Sequence, residues 1–159
     1  MGVVTFNEEI TTAVPPAKIF KALVLDFDTL IPKLLPQHIK NVETIHGDGG
    51  PGTVKQINFA EGSQYKFVKN RTDGIDKENF AYSYSIIEGD ALTEKLECIS
   101  FEIKYEAAGD GGSVCKRTGK FHTKGEVEIT EEKIKSGKEQ LHGMIKAVEA
   151  YLLANPDAY

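Results

Sequence analysis

The rhythm of apolar positions changes three times along this chain. From residue 3 to 12, Val4, Phe6 and Ile10 fall on one face of a period-two alternation, which predicts a strand. Pro15-Pro16 then opens a short helix, since proline is tolerated in a first helical turn. Ile19, Phe20, Leu23 and Val24 give that helix an apolar stripe, and Asp26 and Asp28 end it. A second short helix is predicted around residues 29–35, bounded by Pro36. From Ile39 to about residue 123 the period returns to two. Turn signals interrupt it at residues 47–52, 61–63, 73–74, 88–90 and 109–112. Such short spacing favours antiparallel pairing over βαβ crossovers. The last change comes at residues 130–153, where Ile134, Leu141, Ile145, Val148 and Leu152 recur at spacings of three, four and seven. Thr130 is the predicted N-cap, with Glu131 and Glu132 at the positive end of the helix dipole. Asn155-Pro156 stops this helix, which at 1.5 Å per residue is roughly 36 Å long. The order predicts an α+β domain over residues 1–159: a strongly curved antiparallel sheet wrapped around the long helix.

The strand phases describe the interior. Taking the face with the larger apolar groups as inward, Lys55, Ile57 and Phe59 point in from one strand and Tyr65, Phe67 and Lys69 from the next. Phe80, Tyr82, Tyr84 and Ile86 follow, then Ile99, Phe101, Ile103 and Tyr105. The last strand turns Cys115, Arg117, Gly119 and Phe121 inward and Lys116, Thr118, Lys120 and His122 outward. This interior is too polar for a plain core, because buried hydroxyls need partners and a buried unpaired cation costs several kcal/mol. Apolar walls with a few convergent polar groups suit a ligand cavity. The alternative is that the tyrosine hydroxyls reach a sheet edge and Lys55 snorkels to solvent.

Composition narrows the function classes. The chain has 159 residues, enough for one domain with a core that needs no disulfide or metal. A net charge of −5 argues against a dedicated nucleic-acid binder. No apolar run is long enough to span a membrane, and Gly2-Val3-Val4-Thr5-Phe6 lacks the features of a signal peptide, so a cytoplasmic protein is expected. Cys98 and Cys115 are expected opposite residues near 124 and 107, out of register for a disulfide. No Cys-x-x-Cys or His-x-x-x-His pair suggests a metal, no cofactor motif is present, and no serine sits in a nucleophile elbow. The sequence Gly47-Asp48-Gly49-Gly50-Pro51-Gly52-Thr53 invites a phosphate-cradle reading. The strand that follows it argues instead for a rigid hairpin, since a phosphate loop opens a helix.

That glycine stretch also carries a resemblance. With Phe20-Lys21-Ala22-Leu23-Val24-Leu25-Asp26, Leu30-Ile31-Pro32-Lys33, Tyr84-Ser85-Ile86-Ile87-Glu88-Gly89-Asp90, His122-Thr123-Lys124-Gly125 and Tyr151-Leu152-Leu153-Ala154, it resembles the plant pathogenesis-related class 10 proteins, the birch-pollen-allergen family. The resemblance runs end to end. It implies a seven-stranded sheet gripping a C-terminal helix, two short helices in a V, and a large internal cavity. It further implies a stress-related carrier of small amphipathic plant molecules such as flavonoids, cytokinins, steroids and fatty acids, working as a monomer or weak dimer. Mapped by resemblance, the ligand-binding wall is Leu23, Asp28, Ile31, Ile39, Lys55, Ile57, Phe59, Tyr65, Phe67, Tyr82, Tyr84, Ile86, Leu92, Ile99, Phe101, Ile103, Arg117, Lys138, Leu141 and Met144. Gly47, Gly49, Gly50 and Gly52 form the signature loop. Two departures stand out: Arg117 replaces an apolar group and Phe101 a common tyrosine. An inward Arg117 would favour weakly acidic ligands through its fork; paired with a nearby acid or turned outward, it would not. The resemblance also brings two enzyme alternatives. One is a ribonuclease using the glycine loop with Lys55, Glu97, Glu149 and Tyr151. The other is a cavity enzyme of secondary metabolism using Lys55 or Lys138. The gate motifs of the related abscisic-acid receptors, Ser-Gly-Leu-Pro-Ala and His-Arg-Leu, are missing.

Overall fold

A computed structural model describes residues 2–126 and 128–159. Strand β1 (Gly2–Thr12) leads into α1 (Pro16–Phe20), which a π-helical turn (Lys21–Leu25) continues before α2 (Phe27–Leu34). Strands β2 (Ile39–His46), β3 (Val54–Phe59), β4 (Phe67–Asp76), β5 (Ala81–Gly89), β6 (Leu96–Ala107) and β7 (Ser113–Thr123) follow, and α3 (Glu131–Ala154) closes the chain. The strands form one antiparallel sheet in the order β1-β7-β6-β5-β4-β3-β2. The α+β layout predicted from the apolar rhythm is the one observed. The wide-turn continuation of α1 is new: the Asp26 N–H donates to the Lys21 carbonyl at 2.8 Å, and the chain bends there into α2.

Side-chain size along α3 decides where the interior fills. Its C-terminal half buries Ile145, Val148 and Leu152 against Ile19, Phe20, Ile31, Ile103 and Tyr105. Its N-terminal half offers Ser136, Gly137, Lys138 and Gln140, which are small or polar, while Ile134, Leu141 and Met144 stay half-buried. The sheet's inner face opposite that half therefore lacks a packing partner. Thr130 caps the helix as predicted, its hydroxyl accepting from the Lys133 N–H at 3.2 Å.

Two registers differ from expectation. The β6–β7 turn closes with the Ala108 N–H donating to the Gly112 carbonyl at 2.9 Å, one residue nearer β6 than assumed. Cys98 thus faces His122 and Cys115 faces Tyr105, and both thiols remain free. In β4 the inward phase is the reverse of that predicted. Val68 pairs with Ile57 and is buried, with Thr72 on the same face; Phe67 and Lys69 lie on the other, where Lys69 reaches Glu88 at 2.6 Å. The expected phase was extended back to Tyr65, but residues 60–66 form a turn, so alternation does not carry through them.

Gly119 holds a special place in the sheet. It pairs with Phe6 on one side and Phe101 on the other. The Phe6 ring lies over it, and a Cβ there would stand 2.3 Å from the ring. Gly119→Val should destabilise the fold by about 1–3 kcal/mol through overpacking. Gly143→Ala, in open space on α3, should stabilise it by about 0.5–1 kcal/mol, because glycine is a poor helix former. Urea unfolding of both variants checks the pair, and equal shifts would contradict it.

Candidate functional site

The space left between the sheet and the N-terminal half of α3 is a cavity of about 670 Å³. Of the side chains expected in its wall, Leu23, Asp28, Ile39, Lys55, Ile57, Phe59, Tyr65, Tyr82, Tyr84, Ile86, Ile99, Phe101, Ile103, Arg117, Leu141 and Met144 line it. Four do not. Ile31 is fully buried on the inner face of α2, in the packed core behind the wall. Phe67 faces away because of the β4 phase. Leu92 is buried among Phe6, Leu96, Phe101 and Phe121, leaving its neighbours Ala91 and Thr93 to line the space. Lys138 is displaced by Gly137 and Leu141, and its ammonium sits 5.8 Å from the centre of the Phe6 ring. Val68, Asn70 and Thr72 take the place assigned to Phe67.

Two of the cations in the wall are paired with carboxylates. Lys55 Nζ meets Asp28 Oδ2 at 2.7 Å, tying β3 to α2. Arg117 Nε lies 2.6 Å from Glu8 Oε1, with the two side chains only 7% and 8% exposed. This contact is close in distance but not aligned as a hydrogen bond, so charge holds it. Glu8 and Arg117 are direct cross-strand partners on β1 and β7. The guanidinium carbon lies 4.8 Å from the Phe101 ring centre and 5.5 Å from that of Phe6, within cation–π reach of both rings, which meet edge to face at 6.4 Å. Tyr84 stacks on Phe101 at 5.0 Å and Tyr82 on Tyr84 at 5.4 Å. A row of aromatic faces thus runs across the sheet floor from β1 to β5. Sequence reasoning missed Glu8. The signal was present, since Glu8 falls on the same alternating face as Val4, Phe6 and Ile10.

The glycine loop stands outside the cavity wall. Gly47, Gly49 and Gly52 have φ of 100°, 104° and 89°, which other residues adopt only under strain. The loop's N–H groups are used internally. Gly49 donates to the Thr53 hydroxyl at 2.8 Å, Gly50 to the Asp48 carboxylate at 3.1 Å and Gly52 to the Thr72 carbonyl at 2.8 Å. A loop so committed is a stiff hairpin rather than a phosphate cradle. The residues of the ribonuclease alternative serve different partners. Lys55 holds Asp28, Glu97 is exposed on β6, Glu149 accepts from Lys146 at 3.2 Å, and Tyr151 lies under Lys33.

The family model described as the pathogenesis-related protein Bet v 1 family matches residues 1–155. The chain belongs to this family. It is 57% identical over its full length to the major allergen Pru ar 1 of Prunus armeniaca, covering 99% of that protein. It is 54% identical over the same span to the major allergen Mal d 1 of Malus domestica, again covering 99%. Among solved structures it resembles Ara h 8.0201, with a TM-score of 0.87 and 46% identity over 97% of this chain and 100% of that one. A norcoclaurine synthase from Thalictrum flavum, solved with dopamine and hydroxybenzaldehyde, shares the fold at a TM-score of 0.75 and 22% identity, covering 97% of this chain and 88% of that one.

Burial pushes the Tyr84 phenol up to about 12, and it drives Tyr105 well above its ordinary value. Both are neutral donors at physiological pH. Each phenol ionises more readily in the unfolded chain, near pH 10, than in the folded one. Their stabilising contribution is therefore complete below pH 10 and is lost as pH rises through the folded values. Denaturant unfolding should show stability falling from about pH 10 upward, and Tyr84→Phe should flatten that slope between about pH 10 and 12. An unchanged slope would contradict the burial assignment.

Proposed function

We propose that this protein is a non-catalytic carrier of small amphipathic plant molecules, held in the cavity between the sheet and α3. The observation that carries this reading is the unfilled space itself. A volume of about 670 Å³ lies within the usual span for small-molecule sites, which are mostly apolar with a few placed polar groups. Here the apolar part is Ile57, Ile99, Ile103, Leu141 and the aromatic row, and the polar part is Tyr82, Tyr84, Arg117 and the Lys55–Asp28 pair. The residues mapped to the wall would be the ligand contacts. The family's description as pathogenesis-related supports a role in defence or stress. Among the described residues no helix is long and apolar enough to cross a membrane. We place the carrier in the cytoplasm as a monomer or weak dimer, with residues 1–159 acting as one ligand-binding domain.

The test is displacement of Nile red, an uncharged apolar dye, by candidate ligands. Saturable binding is expected, and a true ligand at a hundredfold its Kd should add about 2.7 kcal/mol of stability. Leu141→Trp, which projects an indole into the space, should weaken dye binding by about tenfold or more while the protein still melts cooperatively, since a tenfold loss is only about 1.4 kcal/mol. Absence of saturable binding in the unaltered protein would overturn the carrier reading.

A further inference from the structure

We infer that Glu8 is a specificity-determining residue that masks Arg117 and tunes the cavity toward uncharged hydrogen-bond acceptors and against carboxylates. This rests on the carrier reading above. An inward arginine by itself would attract anions, but Arg117 does not stand by itself. Glu8 lies directly across from it on β1, 2.6 Å from Nε, and both side chains are more than nine-tenths buried. Elsewhere in the wall Lys55 pairs with Asp28, while Lys133 donates to the Ala91 carbonyl at 3.0 Å. The wall's cations are Lys55, Arg117 and Lys133; its carboxylates are Asp28 and Glu132. With Glu8 behind Arg117, three positive groups stand against three negative ones and the formal charge is zero.

The remaining guanidinium donors decide what such a wall can accept. Arg117 carries five N–H groups. Nε faces Glu8, Nη2 makes a 3.5 Å bond to the Gly137 carbonyl, and the guanidinium also acts on the neighbouring Tyr84 phenol. The guanidinium lines the cavity beside the rings of Phe6 and Phe101, and its five donors exceed these partners. A ligand carbonyl placed there gains a charge-assisted hydrogen bond and adds no charge. A carboxylate would be a second anion on one cation, close to Glu8, and would leave one negative charge uncompensated in an apolar space. Removing the Glu8 charge reverses the balance, because the buried cation then lacks its anion and a carboxylate supplies one.

The experiment compares methyl naphthyl ketone with naphthoate, two ligands of nearly the same shape, by calorimetric titration at neutral pH. The unaltered protein should bind the ketone at least about tenfold tighter than the acid, the scale of one charge-assisted hydrogen bond. Glu8→Gln should shift that ratio toward naphthoate by about tenfold or more, and Glu8→Asp should keep the original order. An unmoved ratio in a folded Glu8→Gln protein, or naphthoate binding tighter than the ketone in the unaltered one, overturns the inference. If Glu8→Gln does not fold, Glu8→Leu/Arg117→Met decides, since replacing a whole buried pair by apolar groups is well tolerated. There the ketone should weaken by about tenfold with naphthoate still weak, and an unchanged ketone affinity overturns the proposal. Saturable Nile red binding with an unmoved ratio removes this inference alone. Failure to bind Nile red removes the carrier reading and this inference with it.

Discussion

The structure depends on a mismatch between a concave sheet and the helix laid across it. Seven antiparallel strands present an inner face rich in Ile, Phe and Tyr. Only the C-terminal half of α3 has the apolar volume to fill it. Ile145, Val148 and Leu152 pack there, while Ser136, Gly137 and Gln140 leave the other half unfilled. Interiors are close-packed elsewhere because every unfilled volume forfeits dispersion contacts. A void of this size persists only where the surrounding elements are rigid without it. The filled half supplies that rigidity: α1, Ile31 of α2 and the end of α3 lock to β6 and β7 around Phe20 and Tyr105.

Once the space exists, the charges in its wall need partners. The pairs supply them for Lys55 and Arg117, while Asp28 Oδ1 and Asn70 Oδ1 have no hydrogen-bond partner among the described residues. Lys55 with Asp28 and Arg117 with Glu8 let cations line an apolar space without an unpaired buried charge. Burial keeps Tyr84 neutral. The wall thereby keeps these charges paired and still offers donors and acceptors. Pairing also changes what a cavity cation means, since a neutralised arginine donates hydrogen bonds but no longer supplies net positive charge.

Much of this was legible in the sequence, and the failures have definite causes. The element order, the inward faces of β5, β6 and β7 and the capping of α3 all follow from periodicity within continuous elements. Phe67 was misplaced because a phase was carried through the turn at residues 60–66, where side chains need not alternate. Ile31 and Leu92 were misplaced for a different reason. Periodicity says which face is apolar, but packing decides whether an apolar group meets a neighbour or a void. The Glu8–Arg117 pair lies between these cases. Both residues sit on inward faces of the alternation, yet their meeting depends on the β1–β7 pairing, which joins the two ends of the sequence. Nothing local in the chain announces a contact between residues so far apart.

The same pairing shows how stability and selectivity share one row of residues. Phe6 can lie flat across β7 only because Gly119 has no side chain. With Phe6 in place, its ring and that of Phe101 both contact the guanidinium of Arg117. A substitution at Gly119 would move Phe6 first, and through Phe6 the orientation of a charge two residues away on the same strand. The floor of the cavity is thus part of the core that holds the sheet together. Changing its chemistry therefore puts the fold at stake, since removing one member of the Glu8–Arg117 pair leaves the other as an uncompensated buried charge.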